Sequence, residues 1–243
     1  MSKVPSVRIS TASGCNHRCS FCQTGGDYGS TAASVIPIKD ERHGMPIVTA
    51  MNFWDAGVRH FSITGGEPLT NPRVTFELSA ALRMKLETWK QESGSDDCYL
   101  RLNTNGVFVK KYIDQVAKYY DLVKISLHSL NPKVYASITG SRSPETDLKA
   151  TLEGITLLNE RNVKVRLQAV ATPENVDELW QLIELCQKFG NITDFKVFDI
   201  SEYSELWRDH GDGSEFWQQN YVSLDKLERE VQERGGKLLY IAQ

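Results

Sequence analysis

The sequence has no apolar run long enough to cross a bilayer, and its N-terminus has no apolar core like that of a signal peptide. The net charge is only −3, which gives no overall attraction to nucleic acid or to an anionic membrane. Cysteine is scarce, and its odd count of five argues against a disulfide framework. We therefore expect a cytoplasmic protein with reduced thiols, and we expect neither a membrane nor nucleic acid as its partner.

The 243 residues alternate between strand-like and helix-like segments. Apolar or alternating segments at 7–10, 60–64, 99–103, 122–127, 163–170 and 194–200 predict six strands, with amphipathic helices between them. Repeated alternation gives parallel strands joined by right-handed crossovers. We predict a single-domain α/β fold, a partial (β/α)6 barrel, with an open doubly wound sheet as the alternative. Residues 1–200 would form the barrel core, and 201–243 an extension of the same domain with a lid stretch, a helix and a last strand.

The helix expected before the sixth strand has recognisable end signals. Thr172 precedes Pro173, and this pair is typical of an N-cap followed by the first helical residue. Gly190 is typical of a position just past a helix end. The sequence therefore predicts a helix over 173–189.

Three cysteines follow the first predicted strand with the spacing C-x3-C-x2-C: Cys15, Cys19 and Cys22. Three thiolates would ligate three irons of a 4Fe–4S cluster and leave the fourth iron open, whereas electron-transfer clusters take four cysteines. A structural zinc ion would also need a fourth ligand, which His17 or His43 would have to supply. Three free thiols are the remaining interpretation.

Polar and glycine-rich motifs follow the next three predicted strands. They are Ile-Thr-Gly-Gly-Glu-Pro at 63–68, Leu-Asn-Thr-Asn-Gly at 102–106 and the segment 123–130 with its Ser-Leu-His-Ser. Because the carboxyl ends of parallel strands meet at one edge, we expect these motifs and the cysteines to converge there. Gly65 and Gly66 would let the backbone approach a ligand closely.

The cysteine spacing, with Phe21 before the last cysteine, and the Gly-Gly-Glu-Pro motif resemble the radical S-adenosylmethionine (SAM) superfamily. The closest pattern is the N-terminal part of the GTP 3′,8-cyclases of molybdenum cofactor synthesis. The resemblance implies a partial barrel, one 4Fe–4S cluster, SAM as second cofactor, oxygen sensitivity, and an electron donor such as flavodoxin or ferredoxin. It also implies reductive cleavage of SAM to a 5′-deoxyadenosyl radical that abstracts hydrogen from a substrate.

The resemblance and the strand alternation nominate the residues of the site, although no catalytic residue can be named. The cluster would be held by Cys15, Cys19 and Cys22. The candidates for SAM binding are Phe21, Gly65, Gly66, Glu67, Pro68, Thr104, Asn105, Ser126, His128, Gln168 and Phe198. Two of these have an alternative role: Asn105 could instead only hold an Asn-Gly turn, and Phe198 is equally consistent with a place in the hydrophobic core.

The chain departs from the cyclase pattern in two places. No cysteine follows Cys186, so the second cluster of the cyclases is not expected. The cyclase pattern continues with basic residues after Gly-Gly-Glu-Pro, whereas here Leu-Thr-Asn-Pro at 69–72 intervenes before Arg73. We expect a small-molecule substrate, such as a nucleoside, nucleotide or sugar, rather than GTP cyclisation. The aromatic and charged stretch 202–221 would cover it. The substrate-binding candidates there are Tyr203, Trp207, Arg208, His210 and Trp217; an interface patch is the alternative role.

Two other functions stay open at this point. An activating enzyme that places a radical on a glycine of a partner protein would need the same cluster and SAM. From a different class, a zinc-stabilised α/β binding protein without catalysis would account for the cysteines alone.

Overall fold

The computed structural model describes residues 6–22, 44–200 and 219–235. Its six strands are β1 (Ser6–Ser10), β2 (His60–Thr64), β3 (Tyr99–Thr104), β4 (Leu122–Ser126), β5 (Lys164–Val170) and β6 (Ile192–Phe198). They form one parallel sheet in the order β1-β2-β3-β4-β5-β6. A doubly wound sheet would reverse its winding direction and bury β1 in the middle, whereas here β1 lies at an edge. The partial barrel predicted from the sequence is confirmed.

Seven α-helices follow or flank these strands in the described residues. They are α1 (Met45–Asp55), α2 (Pro72–Ser93), α3 (Ile113–Tyr119), α4 (Pro132–Thr139), α5 (Pro144–Glu160), α6 (Leu179–Gln187) and α7 (Asp225–Glu233). Short 3-10 turns occupy Pro68–Thr70, Lys110–Tyr112 and Val176–Glu178. None of these helices has both the length and the apolar character needed to span a membrane.

The hydrophobic core lies between the helices and the outer face of the sheet. In β3, Leu100 and Leu102 are fully buried in it, and the alternation of a strand turns Arg101 and Asn103 to the opposite, inner face. The same division holds in β4, where Val123 and Ile125 join the core. Polar residues at alternate positions therefore line the inside of the barrel.

The longest helix, α2, shows why the predicted pattern folds as it does. Pro72 occupies its first turn, and the buried residues Val74, Leu78, Leu82 and Leu86 recur every fourth position. Gly94 ends the helix in the left-handed conformation with φ +68°.

The predicted start of the helix after β5 is wrong. An α-helix begins only at Leu179, after the 3-10 turn Val176–Glu178, and Thr172 does not cap it. Instead, the backbone N–H of Thr172 donates to Asn175 Oδ1 at 2.8 Å. Asn175 is fully buried, and its Nδ2 donates to the carbonyls of His128 and Val170, so this turn joins the ends of β4 and β5 rather than extending α6.

The predicted C-terminal extension is described only in part. The helix α7 lies in this extension, where the sequence predicts a helix over 224–234, and Leu224 and Leu227 pack against the core. Lys226 Nζ contacts Asp177 Oδ1 at 2.8 Å. The predicted last strand and the five substrate candidates, Tyr203, Trp207, Arg208, His210 and Trp217, lie outside the described residues, and the division at residue 200 stays a prediction.

Candidate active site

The cysteine loop follows β1 directly and is attached to the end of α4. The N–H of Arg18 donates to the carbonyl of Thr139 at 2.8 Å, and the N–H of Ser20 donates to that of Ile138 at 2.9 Å. Gly140 ends α4 with φ +63°, and a Cβ there would come within 2.9 Å of Arg18 O. The loop is therefore fixed by backbone contacts to a helix more than a hundred residues away in the chain.

The three thiols of this loop are half-buried and close to one another. Cys15 Sγ accepts from the N–H of His17 at 3.3 Å and lies 3.9 Å from Asn105 Nδ2. Burial, and then the neighbouring thiols of Cys22 and Cys15, raise the pKa of Cys19 to about 12. Burial also raises the pKa of Cys15. The thiols of Cys15 and Cys19 would stay protonated at neutral pH, and a bound cationic centre would convert them to thiolates.

The donor set fits an iron–sulfur cluster better than a single metal ion. In residues 6–22, 44–200 and 219–235, no three His, Cys, Asp or Glu side chains converge on one ion. Three thiolates would ligate three irons of a 4Fe–4S cluster and leave the fourth open, whereas a structural zinc ion would need a fourth protein ligand. The soft sulfur donors and the N–H groups directed at the Cys15 sulfur are typical of an iron–sulfur cluster site.

His17, which could have completed a zinc site, has a different partner. Its ring is buried, and Nε2 lies 3.1 Å from Asp147 Oδ2, which also accepts from Ser141 Oγ at 2.6 Å. The ring of Tyr135 packs edge-on against it, with centroids 5.6 Å apart. Burial lowers the pKa of His17 despite the carboxylate. His17 therefore anchors the cysteine loop to α5, and His43 lies outside the described residues.

The glycine pair after β2 lies directly against the cysteine loop. The N–H of Gly66 donates to Ala12 O and the N–H of Glu67 to Gly14 O, both at 2.9 Å. A Cβ on Gly66 would collide with the carbonyl oxygen of Gly14, and one on Gly65 would lie 2.5 Å from Ala12 O. Glycine is required here because the two loops share the space that a side chain would fill.

Glu67 is the centre of a buried hydrogen-bond cluster. Its Oε1 accepts from Thr104 Oγ1 at 2.8 Å and from the N–H of Leu69 at 3.0 Å, and its Oε2 accepts from the N–H of Asn105 at 2.7 Å. Burial raises the pKa of Glu67 to about 7, although these bonds oppose the rise. The carboxylate thus joins the loops after β2 and β3, and Pro68 follows it into the 3-10 turn.

Asn105 extends this cluster to the cysteine loop. Its Nδ2 donates to Asn16 Oδ1 at 2.7 Å, and its Oδ1 accepts from the N–H of Val107 at 3.1 Å. Asn105 therefore holds its own turn and also contacts the loop that carries the cysteines. The turn-holding role weighed from the sequence is therefore present, and SAM binding by Asn105 stays a prediction.

A second group of predicted residues gathers at the ends of β4 and β5. Gln168 Nε2 donates to Ser126 Oγ at 3.0 Å. His128 is buried, its Nδ1 accepts from the N–H of Val170 at 3.1 Å, and its ring contacts Phe21 edge-on at 5.0 Å between centroids. Burial lowers the pKa of His128 to about 3. The ring is therefore neutral and carries its proton on Nε2.

Phe198 is in register with Val170 at the ends of β5 and β6. It is 37% exposed at the end of β6, which excludes the core position that the sequence left open. Lys196 Nζ lies 4.2 Å from its ring centroid. Asn175, Asp147 and Tyr135 support the site but were not predicted from the sequence; only Asn175 left a signal, as an asparagine in a short Thr-Pro-Glu-Asn turn.

Comparison with known proteins agrees with this geometry. The family model described as the Radical SAM superfamily matches residues 9–186. A probable GTP 3′,8-cyclase of Thermococcus kodakarensis is 31% identical over 190 residues, which cover 78% of this chain and 55% of that protein. A probable GTP 3′,8-cyclase of Methanocaldococcus jannaschii is 25% identical over 239 residues, covering 98% and 69%.

Among solved structures, SuiB of Streptococcus suis bound to S-adenosylmethionine superposes with a TM-score of 0.67 at 21% identity, covering 98% of this chain and 50% of that one. At that identity the likeness shows the fold alone. The chain spans only 55% to 69% of the length of the two curated relatives.

Proposed function

This chain belongs to the radical SAM superfamily, and on that basis we propose that it abstracts hydrogen from a small molecule of the nucleoside, nucleotide or sugar class. Members of the superfamily are enzymes whose cofactors are a 4Fe–4S cluster and SAM, and these are the cofactors of this chain. The alternative of a zinc-stabilised binding protein without catalysis is therefore wrong. Oxygen sensitivity and an electron donor such as flavodoxin or ferredoxin are part of the proposal.

The observation that carries the proposal is the contact between the cysteine loop and the loop after β2. Cys15, Cys19 and Cys22 would hold the cluster, and Gly65 and Gly66 keep the second loop close to it. When bound, the cluster supplies the electron that cleaves SAM to methionine and a 5′-deoxyadenosyl radical. The protein contributes the position of each participant.

In this proposal Glu67 acts by positioning. The similar radical SAM enzymes contact the amine of the methionine part of SAM with their Gly-Gly-Glu-Pro loop. Here the Glu67 carboxylate is occupied by three internal hydrogen bonds, so this contact would fall to the neighbouring backbone. The same carboxylate keeps Thr104 and Asn105 at the mouth of the barrel. Loss of Glu67 would leave three buried donors without an acceptor.

Ser126, Gln168 and His128 would contact the nucleoside part of SAM. The hydrogen bond between Ser126 and Gln168 orders the ends of β4 and β5. His128 offers a neutral Nε2–H donor next to Phe21, whose ring is available to stack on a base. Phe198, exposed at the end of β6, is proposed as a further aromatic border.

The nucleoside, nucleotide or sugar class rests on the relatives. These relatives are named as probable GTP 3′,8-cyclases, that is, as enzymes that act on GTP. This chain matches only part of their length and departs from their pattern after Pro68, so GTP itself is not proposed. Residues 202–221 would close over the substrate and exclude water from a radical intermediate.

Anaerobic reconstitution tests the proposal. We expect about four irons per chain, and reduction with dithionite should release 5′-deoxyadenosine and methionine from SAM. Nucleosides, nucleotides or sugar derivatives should accelerate that release.

Cys19→Ala should abolish iron binding and cleavage together, whereas Cys186→Ala, on a partly buried thiol packed against the core, should keep both. Full iron and full cleavage in Cys19→Ala would refute the cluster assignment, and acceleration only by a protein with a susceptible glycine would instead favour an activating enzyme.

A further inference from the structure

The inner face of the barrel carries a cluster of positive charges below the site described above. Arg101 on β3, Lys124 on β4 and Arg166 on β5 lie on this face, because their strand neighbours Leu100, Leu102, Val123, Ile125, Val165 and Leu167 belong to the core on the other face. Lys124 and Arg166 are direct register partners. We call these three residues the basic tier.

Few opposite charges balance the basic tier. Asp194 is the register partner of Arg166, and its Oδ2 lies 2.7 Å from Arg166 Nε. Lys124 is only 9% exposed and makes no ion pair with any residue in the described parts of the chain. Burial, and then Arg101, Arg166, Arg8 and Lys196 in that order, lower the pKa of Lys124 to about 8. Among the described residues, Asp194 is thus the one carboxylate paired with any of these five cations, which come from five strands.

Such an arrangement costs folding free energy unless something neutralises it. Buried cations are normally paired, and like charges that face one another disfavour the folded state. The basic tier is nevertheless held in place: the Arg101 guanidinium lies 3.4 Å from the ring centroid of Tyr99, which stacks on His60 at 4.1 Å. His60 Nε2 in turn lies 2.9 Å from Asp97 Oδ1. The charges are therefore preorganised for a ligand.

The position of the basic tier indicates which ligand would meet it. Lys124 precedes Ser126 by two residues on β4, so it lies one inward-facing position, or about 6–7 Å, deeper in the barrel than the proposed SAM contacts. Two guanidinium groups and an ammonium match the several oxygens of a phosphate group, because guanidinium donates in pairs to such oxygens.

We propose that Arg101, Lys124 and Arg166 form a subsite for a phosphate group of the substrate, inside the barrel and below SAM. This inference rests on the proposed function and narrows it: the nucleoside or sugar that loses hydrogen carries a phosphate ester. The ester enters the barrel first, and its sugar stays near the mouth, where SAM would lie.

Calorimetric titration of the reconstituted holoenzyme tests the subsite. Ribose 5-phosphate, inorganic phosphate and ribose serve as probes at constant ionic strength, each with and without SAM. We expect both phosphates to bind and ribose not to, with equal affinity in the presence of SAM. Lys124→Met and Arg166→Gln should each weaken phosphate binding about 10- to 100-fold, the loss typical of a hydrogen bond to a charged group. Lys188→Met, at an exposed lysine after α6, should bind like the wild type.

The titration results either support the phosphate subsite or contradict it. Tighter binding of ribose 5-phosphate than of inorganic phosphate would assign the subsite to a substrate ester, and equal binding would assign it to a free anion. Displacement of phosphate by SAM, absence of binding, or binding that survives both substitutions would overturn the inference. Wild-type protein that holds the cluster and cleaves SAM but binds neither phosphate refutes the subsite alone. Wild-type protein without a cluster or cleavage refutes the proposed function, whatever the titration gives.

Discussion

Replacing Lys124 by methionine should stabilise the protein in the absence of a bound anion. Methionine keeps the length and apolar character of the lysine stem and removes the charge that Arg101, Arg166, Arg8 and Lys196 repel. A pKa that falls from 10.5 to about 8 on folding corresponds to about 3 kcal/mol of folding free energy lost at neutral pH. Because the residue keeps some contact with water, we expect a gain of about 1–3 kcal/mol.

The gain should depend on pH with a defined sign. Between pH 8 and 10.5 the unfolded chain keeps the proton on Lys124 and the folded protein releases it. The free energy of unfolding of the wild type therefore rises with pH in this window. The penalty is complete below pH 8 and vanishes above 10.5. The advantage of Lys124→Met should therefore be largest at pH 7 and shrink by pH 10.

Circular dichroism melts of the two holoenzymes in phosphate-free, reducing buffer measure this difference. A gain of 1 kcal/mol raises the Tm by about 2–4 °C in a chain of this size. Lys188→Met is the matched control and should change the free energy of unfolding by less than about 0.5 kcal/mol. The reasoning is refuted if Lys124→Met lowers the Tm at pH 7, or if its advantage is the same at pH 7 and pH 10.

Three further predictions concern the mouth of the barrel. Gly66→Ala should push the loop after β2 away from Gly14 and reduce iron content with little change in far-UV circular dichroism, whereas Gly190→Ala, which meets open space, should bind iron normally; equal iron in both would contradict the contact. Ser126→Ala should weaken SAM binding by about 1.5–3 kcal/mol, measured by equilibrium dialysis, with iron content unchanged; unchanged affinity would remove Ser126 from the site. Deleting residues 208–215 should leave both the cluster absorption and the slow, uncoupled cleavage of SAM intact, whereas substrate-dependent turnover should fall steeply; normal turnover would show that this stretch is no lid.

The order of the strands and the place of the motifs could be predicted from the sequence because both depend on local patterns. The alternation of buried and half-buried residues in β3 and the four-residue spacing of buried residues in α2 can each be recognised within a short stretch of sequence. Parallel strands then bring their carboxyl ends to one edge of the sheet. The start of α6 could not be predicted, because a buried Asn175 bonded to His128 and Val170 overrides the Thr-Pro signal.

The sequence by itself determined that three cysteines follow β1 and that glycine, glutamate and asparagine follow the next strands. Only the tertiary structure decided what these residues do for one another. Glu67 meets Thr104 and Asn105, and His17 meets Asp147, across separations of about forty to more than a hundred residues. Lys124 and Arg166 likewise come together only because strand register pairs them on one face. Contacts of this kind depend on register and on the closure of the barrel, and neither is encoded in any short stretch of the chain.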